Sequence, residues 1–572
     1  MKLILNGEAT MLKRKKTLTK FTTGSILIAL FSSVVMAGCS VEEKGVEPKN
    51  STPTDSAIQL PFEKPVKFRV WEPLPSTALA VMKNYSESAL NKELEKRLNV
   101  TLEYIHPTEG SAKEQFNLML ASGDIPDFIV GTFGDYPGGR VKAFEDGILI
   151  DIKNEIPKYA PDLAKIYKAY PDLLMDVETE SGQQFYAPFL KGDESIYTYF
   201  GGYLRKDWLN ELGLQVPETI DEMHTVLKAF KEKKGAAAPL TGNVGNIKGI
   251  YFTGAWGINQ DHFIENGKVV YGAIDPRFKE YAKTMVQWYK EGLLDPELAT
   301  NNSKTIDAKI TGNQAGATVG NTGSGLGKYL PLMKNKDPKF DLVAMPYPVL
   351  NKGDFNPFMP KDGPTTGGGA WNVTSSAKKH LKEALAFLNY GYTKEGSMLY
   401  NFGIEGVSYK MENGYPKYTE LVTNNPNGQP IATMGQFYAR AFKDGPFVQD
   451  KRYFEQYMAL PQQQESLKTW TKYAKQVTKA NKNYRGTLTP DEVSQTATKQ
   501  NEINTYKDEM FLKWLMGKED VDATWDKYVE QIKKLGIEDI NKIRQGAYDR
   551  FIKKFPQALN PQSFNISDIY NK

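Results

Sequence analysis

A single cysteine, Cys39, stands in a chain of 572 residues, so no disulfide can form within the molecule and no cysteine-based zinc site can brace it. Whatever folds here is held together by apolar burial and hydrogen bonding. The surroundings of Cys39 account for its presence. A cationic stretch, Met11-Leu-Lys-Arg-Lys-Lys, precedes an apolar run from Phe21 to Val35, and Met36-Ala-Gly leads into the cysteine. That layout is an export signal, and Met11 reads as a better translation start than Met1. The apolar run is also near the length of a membrane-spanning helix, but the small residues before Cys39 favour the export reading.

Residues 1–39 hold six Lys/Arg and one acid, so the formal charge of +4 becomes −1 for the remainder. A near-neutral body lacks the basic footprint that nucleic acid requires. The ending Met36-Ala-Gly-Cys39 resembles the bacterial lipobox, in which the cysteine is diacylated and becomes the mature N-terminus; Met36 stands where Leu is usual. Residues 1–38 are therefore expected to be a lipoprotein signal peptide and Cys39 the lipidated residue. Residues 39–60, rich in Ser, Thr, Pro, Glu and Lys, read as a solvated tether. Two acyl chains retain such a chain on a membrane where one would not.

Beyond the tether, short apolar runs alternate with helical patterns, the mark of α/β organisation. Strands are expected at Val66–Trp71, Val100–Ile105 and about Asp127–Gly131, with helices at Ser86–Asn99 and Ala112–Ser122, giving a mainly parallel sheet. Asp275-Pro276 caps a helix whose one face carries Phe278, Tyr281, Ala282, Met285, Trp288 and Tyr289, more readily core than ligand site. Glu265-Asn-Gly-Lys268 reads as a hairpin turn. The last seventy or so residues read as charged helices anchored by Trp514, Leu515, Trp525, Tyr528, Val529, Ile532 and Leu535.

Catalytic constellations are sparse. The four histidines, His106, His224, His262 and His380, show no i, i+3 or i+4 pairing, and no Gly-x-Ser-x-Gly elbow is present. Thr322-Gly-Ser-Gly-Leu-Gly-Lys-Tyr329 fails as a phosphate loop at both ends and reads as a turn ahead of a short helix. Asp124 and Asp127 are candidates for two-carboxylate glycoside hydrolysis, but Asp-Ile-Pro-Asp reads equally as a turn entering a strand. Several aromatics stand in loops or at strand ends: Trp71, Phe133, Tyr136, Trp256 in Gly-Ala-Trp-Gly, and Trp371 in Gly-Gly-Gly-Ala-Trp. Such rings suit the faces of sugars, and each Trp is as readily an interface residue as a ligand contact.

The stretches Leu120-Ala-Ser-Gly-Asp-Ile-Pro-Asp-Phe128, Leu204-Arg-Lys-Asp-Trp-Leu-Asn-Glu-Leu-Gly-Leu214 with Val216-Pro-Glu-Thr-Ile-Asp-Glu222, Tyr289-Lys-Glu-Gly-Leu-Leu-Asp-Pro-Glu297, Asn401-Phe-Gly-Ile-Glu-Gly406 with Tyr409, and Trp525-Asp-Lys-Tyr-Val-Glu-Gln-Ile-Lys-Lys-Leu-Gly536 follow one another along the body. In that order they resemble the family 1 extracellular solute-binding lipoproteins of ABC importers, in the large branch found beside oligosaccharide and polysaccharide uptake. The resemblance implies a two-lobed α/β fold of the periplasmic-binding-protein type II class with a ligand cleft between the lobes. It implies lobe 1 from 61–195 and 343–400, lobe 2 from 196–342, and a mainly helical segment 401–572 completing both, with crossings near 190–205 and 340–350. It further implies a monomeric, non-enzymatic receptor on the outer face of the cell membrane, whose partners are a carbohydrate, a permease and its cytoplasmic ATPase.

Within that cleft the expected walls are Trp71, Phe133, Trp256 and Trp371, and the expected polar contacts Asp127, Arg205, Asn321 and Glu405; Arg205 and Asp207 read equally as a hinge ion pair. No cofactor is expected. Relatives often carry a calcium loop where this chain has Lys231-Glu-Lys-Lys-Gly-Ala-Ala-Ala-Pro239, which offers a single carboxylate, so no calcium is expected there. A secreted glycan hydrolase or lyase and a receptor for a peptide or other polar solute are the alternatives.

Overall fold

A computed structural model describes residues 58–75, 77–108, 111–131, 133, 136–359, 362–441 and 445–570, with the side chains of 366–368 excepted; Cys39 and the expected signal peptide and most of the tether lie outside them. The described strands are β1 Val66–Trp71, β2 Val100–Ile105, β3 Phe128–Val130, β4 Tyr186–Lys191, β5 Phe200–Arg205, β6 His262–Glu265, β7 Lys268–Tyr271, β8 Ala317–Asn321, β9 Leu342–Met345, β10 Thr365–Val373, β11 Tyr409–Glu412, β12 Tyr415–Tyr418 and β13 Val448–Gln449. Local chemistry explains many of their boundaries. The helix Ala89–Leu98 opens on Ser88, whose side chain accepts from the amide of Asn91, and ends on Asn99 in the left-handed region. The β6–β7 hairpin turns through Asn266 and Gly267, both at positive φ, as a two-residue loop between twisted strands requires.

Two sheets organise two lobes. The first has the order β13-β4-β10-β3-β1-β2 and the second β8-β5-β9. In the first, β1 runs parallel to β2 and β3, and β13 parallel to β4, whereas β10 is antiparallel to both β3 and β4. In the second, β5 is antiparallel to β8 and β9. The mainly parallel sheet expected from the sequence therefore holds only for part of the first lobe. The exceptions share one cause. β5 and β10 are the strands that arrive from the opposite lobe, so each enters at the edge where its neighbours end and runs against them.

Each lobe buries its own core. Phe68, Val70, Phe128, Trp371 and Phe387 lie in the first, and Tyr203, Trp208, Phe230, Trp288 and Trp514 in the second. The chain passes between lobes from Lys191 to Phe200 and from Met345 to Thr365, so β9 keeps residues 342–345 with the second lobe, past the expected boundary at 342. It crosses again after β13: the helix Pro461–Thr471 packs on β9, where the Trp470 indole donates to the Met345 carbonyl at 2.9 Å. Helices Pro490–Leu515, Val521–Lys534 and Ile537–Lys554 then complete the second lobe. The tail finally returns to the first, where Ile566 N donates to the Gly192 carbonyl at 2.9 Å.

Trp470, which no flanking motif marks in the sequence, lies fully buried against the backbone of Gly201. A Cβ at position 201 would stand 2.4 Å from the indole ring. Gly201→Ala is accordingly expected to cost about 1–3 kcal/mol by overpacking, read as a lowered urea midpoint.

Candidate functional site

The strand directions define where a ligand can be held. The carboxyl ends of β1, β3, β4 and β13 and the amino end of β10 share one edge of the first sheet. The carboxyl ends of β8 and β9 and the amino end of β5 share one edge of the second. The crossings join these two edges, which is the place where open α/β sheets bind ligands.

The crossings are pinned to one another by charge. Lys191, the last residue of β4, pairs with Asp362, just ahead of β10. The Tyr199 hydroxyl, just ahead of β5, donates to the same Asp362 carboxylate at 3.0 Å, and the Lys191 ammonium stands 4.6 Å from the Tyr199 ring centre. Burial lowers the Lys191 pKa from its ordinary value, and Asp362 opposes that shift.

Beside this pin lies a cavity of about 120 Å³ with walls from both lobes, both crossings and the tail. The first lobe contributes Asp172 and Asp176, the second Asn481, Asn483 and Arg485, the crossings Glu194 and Asp362, and the tail Gln562 and Phe564. Asp176 is open to the cavity, yet surrounding protein pushes its carboxyl above the ordinary value while the charge of Arg485 opposes the rise. It accepts the Thr365 hydroxyl at 2.6 Å. Carboxylates, amides and hydroxyls around two aromatic rings, Tyr197 and Phe564, can hydrogen-bond a hydroxyl-rich ligand and cover a face of it. A second cavity, of about 510 Å³, is lined by Asp193, Lys394, Glu405, Tyr409 and Asp450 among others, and takes no residue from 200–345 or 461–554. Only the smaller one depends on both lobes for its walls.

A family profile described as bacterial extracellular solute-binding protein matches residues 80–398, more than half of the chain. The chain belongs to this family. It is 24% identical over 563 residues to the fructooligosaccharide ABC transporter substrate-binding protein FusA of Streptococcus pneumoniae serotype 4, an alignment covering 93% of this chain and 98% of FusA. It is 26% identical over 413 residues to the lipoprotein LipO of Bacillus subtilis strain 168, covering 69% and 74% of the two chains. The crystal structure of the alginate-binding protein AlgQ2 without calcium ion superposes with a TM-score of 0.67 at 26% identity, covering 86% of this chain and all of that one.

In this solute-binding fold the residues expected from sequence scatter. Trp71 and Phe133 do stand at the carboxyl ends of β1 and β3, but both are buried, with Phe116 between them at ring distances of 6.5 and 5.5 Å. Trp371 is 1% exposed in the core of the first lobe, 5.4 Å from Phe128. Trp256 is half-buried and meets Tyr281 edge-on at 5.4 Å. Asn321 ends β8 and is exposed at the joining edge. Glu405 is exposed on a loop lining the larger cavity.

Two of the expected polar contacts lie at the ends of their strands away from the crossings, and Arg205 follows the alternative reading as an ion-pair partner of Asp207. Asp127 precedes β3 at its amino end, where it accepts from the Arg69 amide at 2.8 Å and His380 at 2.9 Å. Burial would raise its pKa, but those two partners hold it below the ordinary value. Arg205 ends β5 on the side away from the crossings and is 2% exposed. Its guanidinium donates to Asp207 at 2.8 Å and stacks 4.5 Å over Trp208 and 4.4 Å over Phe340. At residues 231–239, where no calcium is expected, the helix Ile220–Lys234 closes on Gly235 in the left-handed region, and the Lys231 ammonium donates to the Glu291 carbonyl.

None of the eight expected residues lines the cavity shared by the lobes. Asp176, Asp362 and Arg485, which do, carry no local signature: they sit in ordinary helix, loop and extended segments and converge only through the crossings.

Proposed function

We propose that the chain is the lipid-anchored receptor of an ABC importer, capturing an oligosaccharide outside the cytoplasmic membrane and delivering it to a permease without breaking a bond. The observation that carries this reading is a hydrogen-bonding cavity that neither lobe can form alone. A ligand bound there favours the arrangement that completes its walls, and a permease reading that arrangement senses occupancy. Alignment over nearly the full length of a fructooligosaccharide-binding relative supports the carbohydrate class, and the lipoprotein relative supports the anchor on Cys39.

Thermal unfolding of the whole chain in detergent, against a panel of oligosaccharides and peptides, tests the reading. A glycan at 100 times its dissociation constant should stabilise the protein by about 2.7 kcal/mol, with no product detected by chromatography. Stabilisation by peptides alone would overturn the carbohydrate assignment, and turnover lost in a carboxylate variant would overturn the receptor. Cys39→Ala should abolish incorporation of labelled fatty acid into the protein; a variant that still takes up the label would overturn the anchor on Cys39.

A further inference from the structure

The charge of the shared cavity narrows the class of sugar, on the premise that the receptor reading above holds. Four carboxylates line it, Asp172, Asp176, Glu194 and Asp362, against one lining cation, Arg485. Each carboxylate is already held by a donor of the protein. Asp172 accepts the Gln562 amide, Asp176 the Thr365 hydroxyl at 2.6 Å, Glu194 the Ser563 hydroxyl at 2.9 Å, and Asp362 the Tyr199 hydroxyl at 3.0 Å beside the Lys191 ammonium. Counting Lys191 with Arg485 still leaves four negative groups against two positive ones. Carboxylate oxygens accept hydrogen bonds from sugar hydroxyls or a sugar ammonium, but they have no donor to offer a carboxylate guest. Arg485, the one lining cation, shares the cavity wall with all four of these carboxylates. A uronate entering here would have to compete for that arginine and face uncompensated like charge.

We infer that this cavity admits an uncharged or ammonium-bearing sugar residue and turns uronic acids away. The balanced charge of the whole body gives no hint of this, because the selectivity resides in a few side chains contributed by distant parts of the sequence.

Calorimetric titration of the whole chain with length-matched oligomers decides it. The probes are neutral fructo-, gluco-, galacto- and xylo-oligosaccharides, chitosan oligomers, and alginate and polygalacturonate oligomers. At least one neutral or amino-bearing oligomer should bind, with the uronate oligomers at least about 100-fold weaker. Asp176→Asn should improve uronate affinity by about 10-fold, and Glu194→Gln in the same direction, so that the result does not hang on the folding of one variant. A uronate oligomer binding the parent chain as tightly as any neutral or amino one would overturn the inference while leaving the receptor standing. So would a uronate discrimination unchanged in both variants. Binding by no glycan in the panel would instead remove the receptor reading on which the inference rests.

Discussion

Replacing Arg440 with alanine should destabilise the protein by about 3–5 kcal/mol, because it strands a buried carboxylate. Arg440 is 3% exposed and Glu72 1%, and the two form an ion pair at the carboxyl end of β1. The guanidinium also stacks 4.2 Å from the Tyr85 ring centre, while Glu72 Oε2 has no hydrogen-bond partner among the described residues. Removing the arginine therefore leaves Glu72 charged with no partner, or forces it to take a proton at a cost of similar size. Equilibrium unfolding in urea, with circular dichroism and tryptophan fluorescence recorded on the same samples, measures the loss. The double variant Glu72→Met with Arg440→Met separates the causes. If the penalty comes from an orphaned charge, the double variant should recover most of the stability that Arg440→Ala loses. A double variant as unstable as the single one would place the penalty in lost packing against Tyr85 instead.

Acid should destabilise the second lobe through His262. The imidazole lies between the rings of Tyr271 and Tyr484 at 4.9 and 6.3 Å and bonds Asn541 at 3.0 Å. Burial, seconded by the charge of Arg544, lowers its pKa to about 3, against the partial support of Asn541. The unfolded chain takes up this proton below about pH 6.5, whereas the native state refuses it until about pH 3. Stability is thus fully present above pH 6.5 and is lost as the pH falls across that window, by at most about 1.4 kcal/mol per unit from this group. His106, lowered to about 4 by burial, adds to the upper part of the same window. Urea midpoints at pH 7, 5.5 and 4 should fall steeply for the parent. His262→Gln retains a donor for Asn541 and cannot titrate, so its midpoint should fall less, the gap closing or reversing by a few kcal/mol toward pH 4. Parallel profiles would show that His262 takes up its proton without cost.

The elements were far more legible than the site. Val66–Trp71, Val100–Ile105 and Ala112–Ser122 have the bounds that periodicity predicts, and the Pro276–Lys290 helix buries the face that carries Phe278, Tyr281, Met285 and Trp288. Each of these is decided by a local pattern meeting a single core. Strand direction is not local: β5 and β10 run antiparallel because of where the chain has come from, which no window of sequence records. The site inherits that difficulty. Trp71 and Trp371 are strand residues flanked by turns and glycines, so in sequence they look like loop aromatics, yet the pleat turns both into the first core. Conversely, Asp176 and Arg485 are 309 positions apart and unremarkable in their own neighbourhoods, and meet only because the tail and the crossings fold back between the lobes.

The returning tail also fixes an order of events. The ribosome makes β1 near the start of the body, but the first lobe is finished only when residues 448–449 join its sheet and Ile566 reaches Gly192. Phe564 and Gln562, made after every strand of both sheets, are walls of the shared cavity. A chain released early, or clipped near its end, lacks part of the pocket itself. Completeness of the polypeptide is in this way a precondition for forming the pocket at all.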